Sequence, residues 1–543
     1  MLAILLTILL CTGADPEVDT VAVCPPRFLP ALNQWISYRE SQGHRVRVIP
    51  AISSAADIQQ MIRDTARNGQ LRYVLLAGDA DPRAAADDDV RRRCVSTHYA
   101  AAKVNVRWGS EPHIATDNGY ADLDGDQLPD VAVGRLPATG PAELTAMVER
   151  IIAYERDRTA GPWQRRVNLV AGAGGFGAVL DGMLEFVTRQ FLTDGIPPGY
   201  ATTMTYGSWR SPYCPDPRGF EDTVLARLNE GSLFWVYLGH SQITCLEPVH
   251  VAERDYEVFS NDSVARLRRT GGAPVALFLS CYTGAFDAAQ DCLAERLVRS
   301  PHGPIAALGG SRVTMPYAMA VMGSALMEEY FVFQQPTLGD LVLQAKRRVM
   351  EPGSDAGDRP SLRHWLDTIA HAVYASEDQL REERLEHLLL FNLLGDPLTA
   401  LRYPSEVNLT VPEEVVAGEI VTVTGESEIG GIVTVELVYP RGRMRCDQPR
   451  RTQPPVTLAE FGSFNRVYFD ANEQRWSSVQ VSCEPGPFRV ELPIPREVYG
   501  RCHIRVFVAD AEAHALGAVP ILVHATEPAA VRIAQSPASE RPR

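Results

Sequence analysis

The sequence predicts an α/β fold, in which helices flank a mostly parallel sheet, followed by a small β-sandwich. Strands and helices alternate over residues 19–405, an order typical of parallel sheets with crossover helices. Two apolar runs, 233–240 and 275–281, are rich in aromatic and β-branched residues, as central strands are. After residue 404 apolar and polar residues alternate with a period of two, which indicates strands with one buried face. A chain of 543 residues, 45% of them hydrophobic, can bury more than one core.

The first part of this alternation predicts an N-terminal α/β subdomain over residues 19–160. Three apolar runs predict strands, and the two segments between them predict helices. In chain order these elements are 21–24, 28–42, 46–49, 55–68 and 73–77. The resulting βαβαβ order starts a parallel sheet.

A second α/β subdomain is predicted over residues 161–403. It begins with a strand and a glycine-rich turn, and Thr337 is the predicted N-cap of one of its later helices. The predicted elements are a strand at 167–171, the turn at 172–175, a helix near 181–192, a strand at 305–308, and a helical pattern from 318 to 394 that includes helices over 338–350 and from Glu377 onward. We expect the later helices to cover the sheet.

Residues 404–525 predict the β-sandwich. Its strands are expected at 407–411, 419–424, 432–438, 488–492 and 503–508. The stretch 526–543 is rich in Pro, Ala and Ser, a composition that predicts a disordered tail.

Composition narrows the classes of partner. The formal net charge is −15 and the chain has no basic block, so we expect no nucleic acid partner. Residues 1–10 are apolar and small residues follow, which predicts a signal peptide within 1–18 and a secreted, periplasmic or cell-surface location. No later stretch is long and apolar enough to suggest a transmembrane span.

Ten cysteines occur without any Cys-x-x-Cys pair, so a zinc cage is unsupported. Three of them, Cys446, Cys483 and Cys502, lie in the C-terminal region. In an exported protein, we expect one disulfide among these three, with the pairing left open.

His240 and Cys281 are each the last residue of one of the two apolar runs. Catalytic groups collect at the carboxyl ends of parallel strands, and the 40 residues between the two side chains leave room for a crossover helix. We therefore expect the imidazole and the thiol to share one rim of the sheet, as a nucleophile and its base. The competing interpretation is a satisfied core histidine and a small buried cysteine.

The pairs Gly239-His240 and Ser280-Cys281, with the acidic and apolar segment 122–137 upstream and Leu-Gly-Asp-Pro at 394–397 downstream, resemble the gingipain family. These are secreted cysteine peptidases of the caspase-like clan. The resemblance implies a caspase-like sheet in two subdomains, an immunoglobulin-like sandwich, and protein or peptide substrates. It also implies that Cys281 is the nucleophile, that His240 is its partner, and that the amides of Gly239 and Cys281 hold the oxyanion.

The chain departs from the family pattern at two places. Ser241 stands where the family has glycine, and residues 171–177 contain no acid to orient the histidine. If position 241 needs a positive φ, serine would strain the loop by roughly 1–2 kcal/mol. Because residues 171–177 offer no acid to orient the histidine, we predict a catalytic dyad rather than a triad. The alternative is a catalytically degenerate secreted protein that serves binding, adhesion or cell-surface attachment.

The resemblance places an acid that meets a basic P1 side chain at Asp181. A helix-dipole role for Asp181 stays equally open, because acids are favoured in the first turn of a helix. Gly309, Gly310 and Ser311 follow the strand after Cys281 and are candidates for the same specificity pocket. The alternative is that these glycines simply turn the chain.

Asp122, Asp124, Asp126 and Asp130 lie on one short segment. Carboxylate oxygens are the ligands that calcium prefers, although the spacing is not that of an EF-hand. We expect a structural calcium ion here, with Asp117 as a further candidate ligand. A solvated acidic turn is the alternative, and catalysis itself is expected to need no cofactor.

Overall fold

A computed structural model describes residues 18–172, 195–351, 362–371, 376–448 and 450–526. The predicted signal peptide, the helix near 181–192 with Asp181, and the predicted tail lie outside these residues, apart from Val18 and Thr526. The chain divides into two compact units. One comprises Met1–Tyr403 and Gln448–Asn472, and the other comprises Pro404–Asp447 and Glu473–Arg543.

Fourteen strands belong to the described part of the first unit. They are β1 (Thr20–Cys24), β2 (Val46–Pro50), β3 (Tyr73–Ala77), β4 (His98–Ala101), β5 (His113–Thr116), β6 (Ala132–Leu136), β7 (Arg166–Ala171), β8 (Ala201–Tyr206), β9 (Phe234–Leu238), β10 (Val249–Val251), β11 (Arg254–Tyr256), β12 (Val275–Leu279), β13 (Ala306–Gly310) and β14 (Phe391–Leu394).

The described helices of this unit surround the strands. They are α1 (Leu29–Ser41), α2 (Ala55–Ala66), α3 (Asp88–Arg91), α4 (Asn118–Ala121), α5 (Pro141–Arg156), α6 (Phe220–Asn229), α7 (Asn261–Val264), α8 (Leu293–Arg299), α9 (Pro316–Phe331), α10 (Leu338–Met350), α11 (Leu362–His371), α12 (Glu377–Leu390) and α13 (Leu458–Asn472). Thr337 caps α10 as predicted, because its hydroxyl accepts a hydrogen bond from the Asp340 amide at 3.1 Å.

Ten strands form one sheet in the order β2-β1-β3-β6-β14-β13-β12-β9-β7-β8. All neighbouring pairs are parallel except β13 and β14. Both predicted subdomains therefore contribute to one sheet, whose two parallel halves run in opposite directions. The prediction of a mostly parallel sheet flanked by helices is confirmed.

The prediction of a helical pattern up to residue 394 is wrong at its end. Phe391–Leu394 forms β14, fully buried at the junction of the two halves. A short continuous apolar run fits a buried helix and a buried strand equally well, so periodicity alone does not separate the two.

The two flanking motifs of the resemblance meet at this junction. Arg135 in β6 pairs with Leu394 in β14, and the buried Asp396 that follows accepts a hydrogen bond from Arg39 at 2.6 Å. Arg135 is fully buried and makes two hydrogen bonds of 2.7 Å to the carboxylate of Asp117. Each of these buried guanidinium groups is paired with a carboxylate, as buried charges usually are.

Helix α13 packs on the edge strand β8. The side-chain amide of Asn472 accepts from the backbone amide of Met204 at 2.7 Å and donates to its carbonyl at 3.0 Å. The hydroxyls of Tyr468 and Thr205 lie 2.9 Å apart. The helix therefore satisfies polar groups that an edge strand would otherwise expose.

The second unit consists of β-strands. They are β15 (Ser405–Glu406), β16 (Asn408–Thr410), β17 (Glu414–Val416), β18 (Ile420–Ser427), β19 (Gly431–Val438), β20 (Arg475–Cys483), β21 (Gly486–Pro493), β22 (Gly500–Ala509) and β23 (His514–His524). A six-stranded and a three-stranded sheet share one apolar core. The predicted strands are present, whereas the immunoglobulin-like class stays a prediction.

No disulfide joins the nine cysteines among the described residues. The expected bond among Cys446, Cys483 and Cys502 is therefore absent from this part of the chain.

None of the described helices combines the length and the apolar character needed to cross a membrane.

Candidate active site

His240 and Cys281 follow adjacent parallel strands at the same level. Strand β9 pairs with β12, and Leu238 lies opposite Leu279. His240 and Cys281 are each two residues further along, so both reach the same rim of the sheet. The predicted placement of the two residues side by side is confirmed.

Gly239 occupies a position that only glycine fits. Its φ is +153°, and a Cβ there would lie 2.9 Å from the hydroxyl of Tyr237 and 3.0 Å from the amide of Gly172. Its own amide donates to the carbonyl of Leu279 at 3.4 Å. The need for glycine thus follows from close packing, and the predicted role of this amide toward an oxyanion stays a prediction.

The residue after the cysteine has an unusual backbone conformation. Tyr282 has a φ of +57°, which is costly for a bulky residue and tends to persist at functional sites. Its amide donates to the carbonyl of Arg312 at 3.2 Å, and the next amide, that of Thr283, donates to the carbonyl of Cys281 at 2.7 Å. The chain therefore turns sharply at the thiol and is held there by backbone hydrogen bonds.

Thr314 makes polar contacts with the sulfur of Cys281. Its amide donates to Sγ at 3.3 Å, and its hydroxyl, which donates to the sulfur of Met319 at 2.8 Å, lies 3.6 Å from Sγ. Burial raises the pKa of the Cys281 thiol, and the hydrogen bonds from Thr314 act in the opposite direction because they stabilise the thiolate. Sequence analysis did not single out Thr314, which reaches the cysteine from the loop after β13.

Ser241 connects the two rim residues. Its hydroxyl donates to the carbonyl of Cys281 at 2.5 Å. Among the described residues, the non-glycine positions with positive φ are Gln127, Ala252, Tyr282 and Gln334. Ser241 therefore carries none of the strain considered above, and the departure from the family pattern is conformationally harmless.

The segment after His240 folds back on it. Ser241 and Leu246 form an antiparallel bridge, and Gln242 donates to the carbonyl of Cys245 at 2.8 Å. The carbonyl of His240 accepts from the Glu247 amide at 3.1 Å and from the hydroxyl of Tyr237 at 2.6 Å. This tight hairpin brings Glu247, which the sequence analysis did not single out, beside the histidine.

The candidate pocket residues at the end of β13 are enclosed. Gly309, Gly310 and Ser311 are buried, and the hydroxyl of Ser311 donates to the carbonyl of Ala115 at 2.7 Å. A Cβ on Gly309 would lie 3.1 Å from the amide of Gly284. These contacts favour a packing role for the three residues, and their role in substrate binding stays a prediction.

Three of the four predicted calcium ligands come together. Carboxylate oxygens of Asp122, Asp124 and Asp130 lie within 4.8 Å of one another, and Asp126 is not part of this group. Loop amides also contact these oxygens, for example the Gly125 amide on Asp122 at 2.6 Å. Asp117 pairs with Arg135 instead, so its predicted role as a further ligand is not supported.

Comparisons with known proteins identify the family of the chain. The family model of peptidase family C25 matches residues 13–402. The chain belongs to this family, which confirms the resemblance drawn from the sequence.

The similar proteins are gingipains. Gingipain R2 of Porphyromonas gingivalis is 22% identical over 450 residues, which cover 77% of this chain and 52% of that protein. Lys-gingipain of the same species is 22% identical over 311 residues, covering 55% of this chain and 16% of that protein. The chain thus spans only about half the length, or less, of these curated relatives.

A solved structure of the Arg specific cysteine proteinase gingipain R has a TM-score of 0.51 to this chain at 16% identity. The match covers 94% of this chain and 99% of that one. At this identity the likeness shows the fold.

Proposed function

We propose that the protein is a cysteine endopeptidase in which Cys281 and His240 form the catalytic dyad. The observation that carries the proposal is their placement on one rim, two residues past the paired positions Leu238 and Leu279. The thiolate attacks the carbonyl carbon of a peptide bond, and the imidazolium of His240 protonates the leaving amine. Water then attacks the resulting thioester while His240 takes one of its protons. The carboxylic acid product leaves, and the Cys281 thiolate and the His240 imidazolium are restored.

The buried thiol of Cys281 depends on its neighbours to form a thiolate. Because burial raises the pKa of the Cys281 thiol, the thiolate needs nearby positive charge and donors to form at neutral pH. Thr314 supplies two polar groups facing the sulfur, and His240 supplies the charge. The harmless conformation of Ser241 removes one argument for a degenerate binding protein.

We also propose that the enzyme prefers Arg or Lys at P1. The support comes from the names of its relatives, an Arg specific proteinase and a Lys-gingipain. The candidate contact is Asp181, through a charge-assisted hydrogen bond.

We propose a structural calcium ion at Asp122, Asp124 and Asp130, whose carboxylate oxygens converge. Such an ion would offset the repulsion among these three acids and brace the loop before β6. Catalysis by the dyad would not pass through it.

A secreted, periplasmic or cell-surface location is part of the same proposal. It rests on the apolar run at residues 1–10 and the small residues that follow. Sequencing the N-terminus of the mature protein from its native source tests it, and retention of residues 1–18 would contradict it.

The dyad is tested with the purified full-length protein and a peptide library varied at P1. Cys281→Ala is expected to abolish hydrolysis with an unchanged melting temperature, and His240→Ala to come close to the same loss. Cys245→Ala is a control for the loss of a thiol near the site. Cys245 lies in the segment after β9, its thiol has no proposed role, and the variant should keep full activity. Substantial turnover by the Cys281→Ala protein would refute the assignment.

A further inference from the structure

The hairpin after His240 places an acid opposite the histidine. Ser241 pairs with Leu246 in an antiparallel bridge, so the next pair outward is His240 and Glu247, joined by the 3.1 Å bond from the Glu247 amide to the His240 carbonyl. Directly opposed residues in an antiparallel pair present their side chains on the same face, with Cβ atoms about 5 Å apart. The register therefore brings the carboxylate and the imidazole to one side of the hairpin.

The hairpin is held in place on both sides. The amide of Leu246 donates to the carbonyl of Phe259 at 2.9 Å, and Cys245 bridges to Ser260. At the other end, the buried Tyr237 donates its hydroxyl to the carbonyl of His240 at 2.6 Å. Because these contacts fix both chain segments, the register between His240 and Glu247 is fixed as well.

The carboxylate of Glu247 is available to the histidine. Its Oε2 atom is buried and has no hydrogen-bond partner within the described part of the chain. Burial raises the pKa of the Glu247 carboxyl, and the positive charges of His240 and His250 oppose that shift. His250 is exposed, and its Nδ1 atom lies 2.5 Å from the carboxylate of Asp255. A positive charge on His250 is therefore paired with Asp255.

We infer that Glu247 is a positioning residue that orients the His240 ring and favours its imidazolium form, which makes the catalytic group a triad rather than a dyad. The acid comes from the hairpin after the histidine and not from the glycine-rich segment 171–177, which has none. A carboxylate in this role stabilises the protonated ring that forms beside the thiolate, as the third member of hydrolytic triads does. The inference rests on the proposed function, since it assigns Glu247 to the same dyad.

Four titratable groups interact electrostatically with Glu247 or with its neighbour Tyr237. His240 and His250 act on Glu247, and Tyr237 is acted on by Glu247, Cys281 and Cys245. Because Tyr237 and Cys245 are common to every variant below, a change confined to a Glu247 variant reports the carboxylate.

The test compares the full-length protein with its Glu247→Gln and Glu247→Asp variants, and with Glu253→Gln as a matched control. Glu253 is an exposed acid only six residues further along. The measurements are kcat and KM for peptide hydrolysis across pH, the rate of Cys281 alkylation by iodoacetamide, and the melting temperature.

For Glu247→Gln we expect kcat to fall about tenfold with KM nearly unchanged, and the alkaline limb of kcat/KM to move about one unit toward lower pH. Alkylation of Cys281 near pH 6 should slow in parallel. Glu247→Asp should restore most of the alkaline limb, since it keeps the charge, and Glu253→Gln should match the wild type.

A wild-type alkaline limb and alkylation rate in Glu247→Gln would overturn the inference, as would an equal change in Glu253→Gln. If Glu247→Gln does not fold, Glu247→Ala takes its place, because truncation here leaves no orphaned partner of Oε2 among the described residues. Failure of the proposed function would look different. In that case Cys281→Ala would still turn over substrate, or the wild-type thiol would show no enhanced alkylation near pH 6.

Discussion

Replacing Ser241 with alanine removes the hydrogen bond that joins the ends of the two catalytic strands. The bond from the Ser241 hydroxyl to the Cys281 carbonyl is 2.5 Å long and part-buried, and neutral hydrogen bonds contribute roughly 0.5–1.5 kcal/mol. The carbonyl keeps the Thr283 amide at 2.7 Å as a second donor, so no orphaned acceptor remains. We therefore expect Ser241→Ala to lose about 1 kcal/mol of stabilisation. If the whole of this loss falls on the transition state, kcat/KM drops about fivefold.

The assay measures kcat/KM on a peptide substrate, the alkylation rate of Cys281 and the melting temperature. Ser241→Thr is the matched control, since it keeps the hydroxyl, and it should stay close to the wild type. The melting temperature of Ser241→Ala should fall by about one or two degrees. Unchanged values in all three measurements would refute the bridging role, and a loss above about a hundredfold would show that the hydroxyl acts in the chemistry itself.

Three further outcomes are expected. Burial lowers the pKa of His387 to about 4. Below about pH 6.5 the unfolded chain therefore binds more protons than the native one, and the free energy of unfolding falls as the pH drops toward 4. His387→Gln should flatten the pH dependence of the melting temperature over that range, and an unchanged slope would contradict this. A calcium chelator should lower the melting temperature, and Asp124→Ala should lose this response while Asp126→Ala keeps it; equal responses in both variants would argue against the site. Asp181→Asn should reduce the preference for basic P1 residues by about one to two decades in kcat/KM, with alkylation of Cys281 unchanged; a retained preference would leave Asp181 as a helix-capping residue.

The rim that holds the dyad was predictable from the sequence because each partner ends its own apolar run. Both runs are short and carry aromatic and β-branched residues, which favours strands over helices. The common level of His240 and Cys281 then follows from parallel pairing. The β-sandwich strands were predictable for a similar reason, since each shows its own alternation.

The residues that the sequence did not reveal depend on contacts between distant segments or on turn geometry. Thr314 reaches Cys281 only because the loop after β13 passes over the thiol. Glu247 lies beside His240 only because the intervening residues form a tight hairpin. These residues contain no Asn-Gly or Gly-Gly pair, which is the usual sequence signal for such a turn. Strand β14 runs against its neighbour β13, and a strand's direction is not encoded in its own four apolar residues.

Helix α13 belongs to the first unit but is synthesised after part of the second unit. The ribosome completes Pro404–Asp447, which belong to the second unit, before it reaches the segment Gln448–Asn472 that finishes the first. Until Asn472 emerges, the backbone groups of Met204 on the sheet edge lack their partner. During synthesis, the edge strand β8 therefore stays uncovered until helix α13 is complete. A protein truncated after Tyr403 would leave this strand uncovered permanently, which would favour self-association.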